Sequence, residues 1–173
     1  MEELTQQLST KNITLKWGVI NGLIGIIFFL LLDFIGQSNG PIRWFGLIIS
    51  FAIVYLAHKS YKDEGDGFMS FGKGLGIGTL VSLIGAVINS LFTFIYVSFI
   101  NTEYIEQAVE QATIDMENRG NTQAQIDQAI PWIERMTSPT TLLIFGIIGG
   151  LFLGFIVSLL VTIFTKNTNP ENI

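Results

Sequence analysis

Four long apolar runs dominate the chain, and polar stretches separate them. A membrane-spanning helix needs about 20 predominantly apolar residues, so we predict four transmembrane helices. A tight turn at Gly36–Pro41 would join the first two, and a hydrophilic loop over 59–74 would join the second and third. The predicted spans are residues 17–35, 42–57, 75–100 and 142–164.

The first run has nineteen residues and leads into Asp33. The apolar region of a signal peptide is shorter, about 7–15 residues, and ends in a small-x-small cleavage site. We therefore expect an uncleaved helix.

The longest polar stretch, residues 101–141, carries the pattern of two amphipathic helices. Apolar positions recur three and four residues apart on both sides of a break at 118–121. Thr122 and Gln125 have the spacing of a capping box that starts the second helix, and Pro131 predicts a kink or an end within it. The predicted apolar faces are Ile105, Val109 and Ala112, then Ile126, Ile130 and Ile133.

Composition supports a membrane protein. The chain is 49% hydrophobic and 13% charged, whereas soluble domains carry about 25% charged residues. The absence of cysteine excludes disulfides, thiolate metal sites and cysteine nucleophiles. The single histidine, His58, argues against a histidine-rich metal site or a Ser/His/Asp triad. We expect no enzyme activity, no cofactor and no metal.

The charges predict an orientation. Four spans put both termini on one side, where six lysines lie, and three arginines lie on the other side. The positive-inside rule then places both termini in the cytoplasm and the 101–141 hairpin outside it. The bases compared are Lys11, Lys16, Lys59, Lys62, Lys73 and Lys166 against Arg43, Arg119 and Arg135.

The hairpin also carries seven acids against two arginines, an excess equal to the net charge of the chain, −5. These acids keep an exposed segment soluble in one interpretation, and form a site for a cation or a basic partner in the other. No basic block supports a nucleic-acid partner.

Small residues recur at every fourth position of the last two spans. Such stripes let helix backbones approach closely in lipid, so we expect the third and fourth spans to meet, although the pattern does not distinguish contacts within a chain from contacts between chains. The packing candidates are Gly74, Gly78 and Ser82, then Gly146, Gly150 and Gly154.

Three polar residues within apolar runs are candidates for function. Asn21 and Asn89 are expected about 12 Å apart in depth at 1.5 Å per residue, and either hold helices together or line a substrate path. Asp33 lies near the outer end of its span, at a height where Arg43 is expected to pair with it.

The stretch Tyr61–Gly78 and the segment Ile95–Glu106 resemble a bacterial membrane family catalogued as domain of unknown function 4199. The most specific part is the entry to the third span, formed by Gly67, Met69, Ser70 and Phe71. The resemblance covers most of residues 12–166 and implies a small bacterial membrane protein, without an activity or functional residues.

The sequence thus predicts an all-α, four-span protein of the bacterial inner membrane with an extracytoplasmic helical hairpin. We expect a non-enzymatic scaffold or interaction protein of the envelope. The alternative is a subunit of a small oligomeric transporter or channel. The expected partners are the lipid bilayer and either a second copy of the chain or another envelope protein.

Overall fold

The computed structural model describes residues 2–37 and 40–168, with side chains from Thr10 onward. A 3₁₀ turn at Pro41–Trp44 leads into the second helix, and a wider π-type turn at Tyr96–Ile100 extends the third. The described ranges contain six α-helices: α1 (Glu2–Phe34), α2 (Phe45–Glu64), α3 (Phe71–Ile95), α4 (Tyr104–Asn118), α5 (Gln123–Thr137) and α6 (Pro139–Thr165).

Within the described residues, four helical segments are long and apolar enough to cross a membrane, and they contain the four predicted runs almost completely. They are Thr10–Phe34, Pro41–Glu64, Phe71–Ile100 and Pro139–Thr165. The all-α, four-span prediction is confirmed. No strand lies within the described ranges 2–37 and 40–168, where the only bridge pairs Met69 with Asn167.

The connector after the second span is shorter than its composition suggested. Helix α2 continues to Glu64 and α3 already begins at Phe71, so six residues remain between them. Polar residues form the last turns of α2, and a contact with the end of α6 stabilises them. The Lys62 amine donates a hydrogen bond to the carbonyl of Thr165 at 3.2 Å.

The described residues form two compact units. The first comprises the chain up to Asn89 together with the part from Ile147 onward, and the second comprises Ser90–Gly146. The core of the first unit contains branched side chains from α2, α3 and α6, with Trp17 and Ile24 of α1 packed against it. Its buried members are Ile53, Val54, Ala57, Met69, Ile77, Val81, Val157 and Val161.

Helices α4 and α5 pack against each other in the second unit. The break between them is a glycine turn: Gly120 has φ +79°, and Asn121 N donates to the carbonyl of Met116 at 3.1 Å. This is the left-handed C-terminal cap that favours glycine. The predicted capping box forms as well, with Thr122 N donating to Gln125 Oε1 at 2.8 Å.

Gly36 closes α1 in the same way, with φ +66° and a hydrogen bond from Gln37 N to the carbonyl of Leu32 at 2.8 Å. The predicted turn that follows contains Ser38 and Asn39, which lie outside the described residues.

Pro131 does not end α5, which continues to Thr137. A proline inside a helix frees the carbonyl four residues earlier, here that of Asp127. Both residues are exposed, so water can satisfy this carbonyl. Of the two predicted outcomes, a kink or an end, the end is wrong, because the sequence alone does not show that Pro131 is exposed.

Candidate functional site

The small-residue stripes of α3 and α6 pack on each other within one chain. We call this contact the α3–α6 seam. A side chain added at Gly78, Gly150 or Gly154 would clash with its neighbour across the seam. In the first unit the pairs are Gly74 with Thr162, Gly78 with Ser158, Ser82 with Gly154 and Ala86 with Gly150; in the second unit, Ser90 meets Gly146.

Hydroxyl groups add polar contacts to the seam. Ser158 Oγ donates to the carbonyl of Leu75 on α3 at 2.9 Å, and Thr162 Oγ1 donates to the carbonyl of Ser158 at 2.6 Å. A Cβ at Gly78 would collide with Ser158 Oγ, so this hydrogen bond depends on glycine at that position. The seam is therefore a fitted contact with an interhelical hydrogen bond.

Asn21 and Asn89 lie on one contact between α1 and α3. Asn21 packs on Gly85, and Asn89 packs on Gly25, so each carboxamide fills the space that a glycine leaves on the other helix. Four residues separate the two levels on each helix, which is about 6 Å at 1.5 Å per residue. The expected separation of 12 Å in depth was too large because it assumed that both helices are centred on the same plane.

Neither carboxamide forms a hydrogen bond within the described part of the chain, and both residues are only half-buried. They remain candidates for a polar contact with something outside this chain.

Asp33 and Arg43 lie on either side of the first turn. Asp33 is in the last turn of α1, where its carbonyl accepts a hydrogen bond from Gly36 N at 3.0 Å. The Arg43 guanidinium lies over the ring of Trp44, 5.3 Å from its centroid. Their ion pair stays a prediction.

His58 is the residue that the sequence analysis undervalued. Its side chain is 0% exposed, and both ring nitrogens have partners. Nε2 lies 2.8 Å from the carbonyl of Gly74 on α3, and Nδ1 lies 2.8 Å from Thr165 Oγ1 on α6. One imidazole thus connects α2, α3 and α6. We call these three residues the His58 junction.

The junction constrains where the protons lie. A carbonyl oxygen only accepts, so Nε2 carries a proton and donates it to Gly74. Thr165 Oγ1 also lies 2.9 Å from the carbonyl of Val161, but a hydroxyl has one proton. A neutral ring accepts a hydrogen bond from this hydroxyl at Nδ1, whereas a charged ring donates from Nδ1 to the hydroxyl oxygen and the hydroxyl donates to the carbonyl of Val161. The same heavy-atom arrangement serves both protonation states.

An antiparallel backbone bridge joins Met69 and Asn167, two residues after Thr165 of the junction. Met69 N donates to the carbonyl of Asn167 at 2.7 Å, and Asn167 N donates to the carbonyl of Met69 at 2.9 Å. The Asn167 amide adds a bond to the carbonyl of Gly67 at 3.3 Å. The bridge fixes the residues after α6 to the connector before α3.

The charged side chains of the hairpin lie on its surface. All seven acidic residues are exposed, while Ala108 and Ile126 are buried and the other predicted apolar positions are half-buried. Two acids accept hydrogen bonds from glutamines one turn away: Gln111 to Asp115 at 3.1 Å, and Gln123 to Asp127 at 2.9 Å. No group of three or more potential metal ligands occurs within the described residues.

The chain belongs to a family of proteins of unknown function, DUF4199, whose model matches residues 16–167. The match covers most of the first span, the other three spans, the hairpin and the His58 junction. No curated protein and no solved structure matches the chain at a significant level.

Proposed function

For this member of a family without an assigned activity, we propose a non-enzymatic scaffold or interaction protein of the bacterial inner membrane. Both termini face the cytoplasm, and the α4–α5 hairpin meets a basic region of another envelope protein on the opposite side.

The observation that carries this proposal is the exposure of all seven acids on a hairpin in which Ala108 and Ile126 are buried. Two capped helices hold these charges in fixed positions, so a partner would meet a surface that is already ordered. Charge complementarity increases association rates and selects among partners. The only histidine is engaged in structural hydrogen bonds, which supports a role other than catalysis.

Photo-crosslinking in native membranes tests the proposal. A crosslinking amino acid at Glu110 or Glu117, both exposed on α4, should capture a discrete partner that mass spectrometry identifies. The same probe at Phe152, which is 65% exposed on α6, should capture lipid.

Neutralising the remaining hairpin acids should weaken the crosslink and its salt dependence. If the hairpin positions capture only a second copy of this chain, or nothing, the scaffold proposal is wrong.

The orientation has its own test, which the natural absence of cysteine makes clean. A membrane-impermeant thiol reagent added to whole cells should label Asn121→Cys in the hairpin turn and miss Asp63→Cys near the end of α2. Asp63 suits this probe because it is exposed. Labelling of Asp63→Cys alone would reverse the orientation and place the acidic hairpin in the cytoplasm.

The two asparagines favour a second candidate, a subunit of an oligomeric transporter or channel. Polar side chains without partners inside a membrane commonly mark substrate or ion paths. Replacing both Asn21 and Asn89 with leucine should abolish transport in that case, but should leave hairpin crosslinks intact if the scaffold proposal holds.

A further inference from the structure

The last two turns of α5 combine exposed apolar residues with an exposed arginine. Trp132 is 62% exposed and Met136 is 47% exposed. They differ from the predicted apolar face of this helix, where Ile126 is only 2% exposed. Arg135 lies between them in sequence and forms no ion pair within the part of the chain that the structure describes.

The two sides of α5 differ in chemistry. At 100° per residue, Trp132 and Met136 point about 140–180° away from Asp127 and Glu134. The buried stripe through Ile126 lies between these two flanks. One flank is therefore acidic and the other is apolar. A helix at a membrane surface has this arrangement, with its polar side in water and its apolar side in lipid.

Chain connectivity places this apolar flank close to the start of a membrane span. Ser138 is the only residue between α5 and α6, and α6 begins the membrane span Pro139–Thr165. Met136 precedes the span by three residues and Trp132 by seven. With a rise of about 1.5 Å per residue within α5 and at most about 3.5 Å for each of the two steps through Ser138, Met136 lies within about 9 Å of Pro139 and Trp132 within about 15 Å. The polar interface is about 5–7 Å thick on each side of the hydrocarbon core.

The connection also changes the direction of the chain. Ser138 has φ −59° and ψ 145°, an extended conformation that interrupts the helix. Its hydroxyl donates to the carbonyl of Arg135 at 2.9 Å, and its carbonyl accepts from Leu142 N at 2.9 Å. Ser138 thus connects the end of α5 to the start of α6, and the two helices do not form one continuous helix.

We propose that the C-terminal half of α5 is an interfacial anchor, in which Trp132 and Met136 insert between lipid headgroups and Arg135 binds lipid phosphate. Tryptophan is enriched at this depth because its ring is apolar and its N–H is polar, and an amphipathic helix buries its apolar face about 5–10 Å into the same zone. This anchor goes beyond the proposed scaffold role and does not depend on the orientation of the protein.

Site-directed spin labelling of the full chain in proteoliposomes of phosphatidylethanolamine and phosphatidylglycerol tests the anchor. Labels at Trp132→Cys and Met136→Cys should collide more with oxygen, which partitions into lipid, than with a water-soluble nickel complex. The matched control is Gln123→Cys on the acidic flank of the same helix, where the ratio should reverse. Two separate labelled positions keep the result interpretable if one substitution perturbs the fold.

Two outcomes reject the anchor. Equal nickel access at positions 132, 136 and 123 means that the apolar flank faces water. Immobile labels that neither reagent reaches mean that a protein covers the flank instead. If the labels lie in lipid, Arg135→Gln should raise nickel access at position 136 several-fold in these liposomes, and no change would remove the phosphate contact from the proposal.

Discussion

The α3–α6 seam and the α4–α5 hairpin join helices by opposite means. In the seam, glycine, serine and alanine alternate so that backbones approach, and no large side chain lies between them at these positions. In the hairpin, Ala108 and Ile126 are buried, and a glycine turn and a capping box define where α4 ends and α5 begins. The comparison shows that the surrounding medium determines how helices pack. In lipid the hydrophobic effect contributes little to contacts between helices, so close backbone packing is needed, whereas in water the burial of apolar side chains is itself favourable.

The strongest way to break this comparison is to add a side chain to the seam. A side chain at position 150 would overlap with that of Ala86 on α3, so we expect Gly150→Leu to lower the free energy of unfolding by about 3 kcal/mol and to reduce the yield of folded protein in detergent. Gly149→Leu is the matched control, because nothing lies within 4 Å of a side chain built there. Equal melting temperatures for the two variants would show that the seam does not hold the helices together.

The His58 junction should have a smaller effect. His58→Ala leaves the carbonyl of Gly74 and the hydroxyl of Thr165 without this partner, and we expect a loss of about 2 kcal/mol in the free energy of unfolding. Thr165→Val removes one of the two bonds and should cost about half as much.

Tyr55→Ala is the control for this pair, since Tyr55 is 53% exposed on the same helix. Chemical denaturation in a mild detergent provides the measurement. A cost for His58→Ala no greater than that of Tyr55→Ala would contradict the structural role of the junction.

The smallest effect is expected in the hairpin. Thr122→Ala removes the capping side chain and should cost about 1 kcal/mol, measured as faster hydrogen exchange in the first turn of α5. Gln128→Ala, at an exposed position of the same helix, should leave exchange unchanged. Exchange in α3 and α6 should not respond to either variant, and a response there would mean that the hairpin and the seam do not differ as described.

The sequence predicted both regions through local patterns. Small residues at every fourth position identified Gly78 and Gly154, and the spacing of Thr122 and Gln125 identified the capping box. The His58 junction could not be found in this way, because its partners lie 16 and 107 residues away. Gly74 contributes only a backbone carbonyl, so its residue type does not reveal the bond.

The sequence also did not reveal the relative depth of α1 and α3 or the exposure of Pro131. The offset between α1 and α3 decides which glycine faces Asn21, and it depends on packing along the whole length of both helices. The exposure of Pro131 decides whether water can satisfy the carbonyl that it frees, and no local pattern around the proline reports that exposure.

The pairing of the seam restricts how relatives of this protein can vary in length. Each step of four residues along α3 corresponds to a step of four in the opposite direction along α6. One residue inserted between Gly78 and Ser82 would rotate the following part of the stripe by about 100° and turn it away from α6. Insertions and deletions accepted during evolution should therefore avoid both helices and collect in the turn at Gly120, where the chain leaves one helix before starting the next.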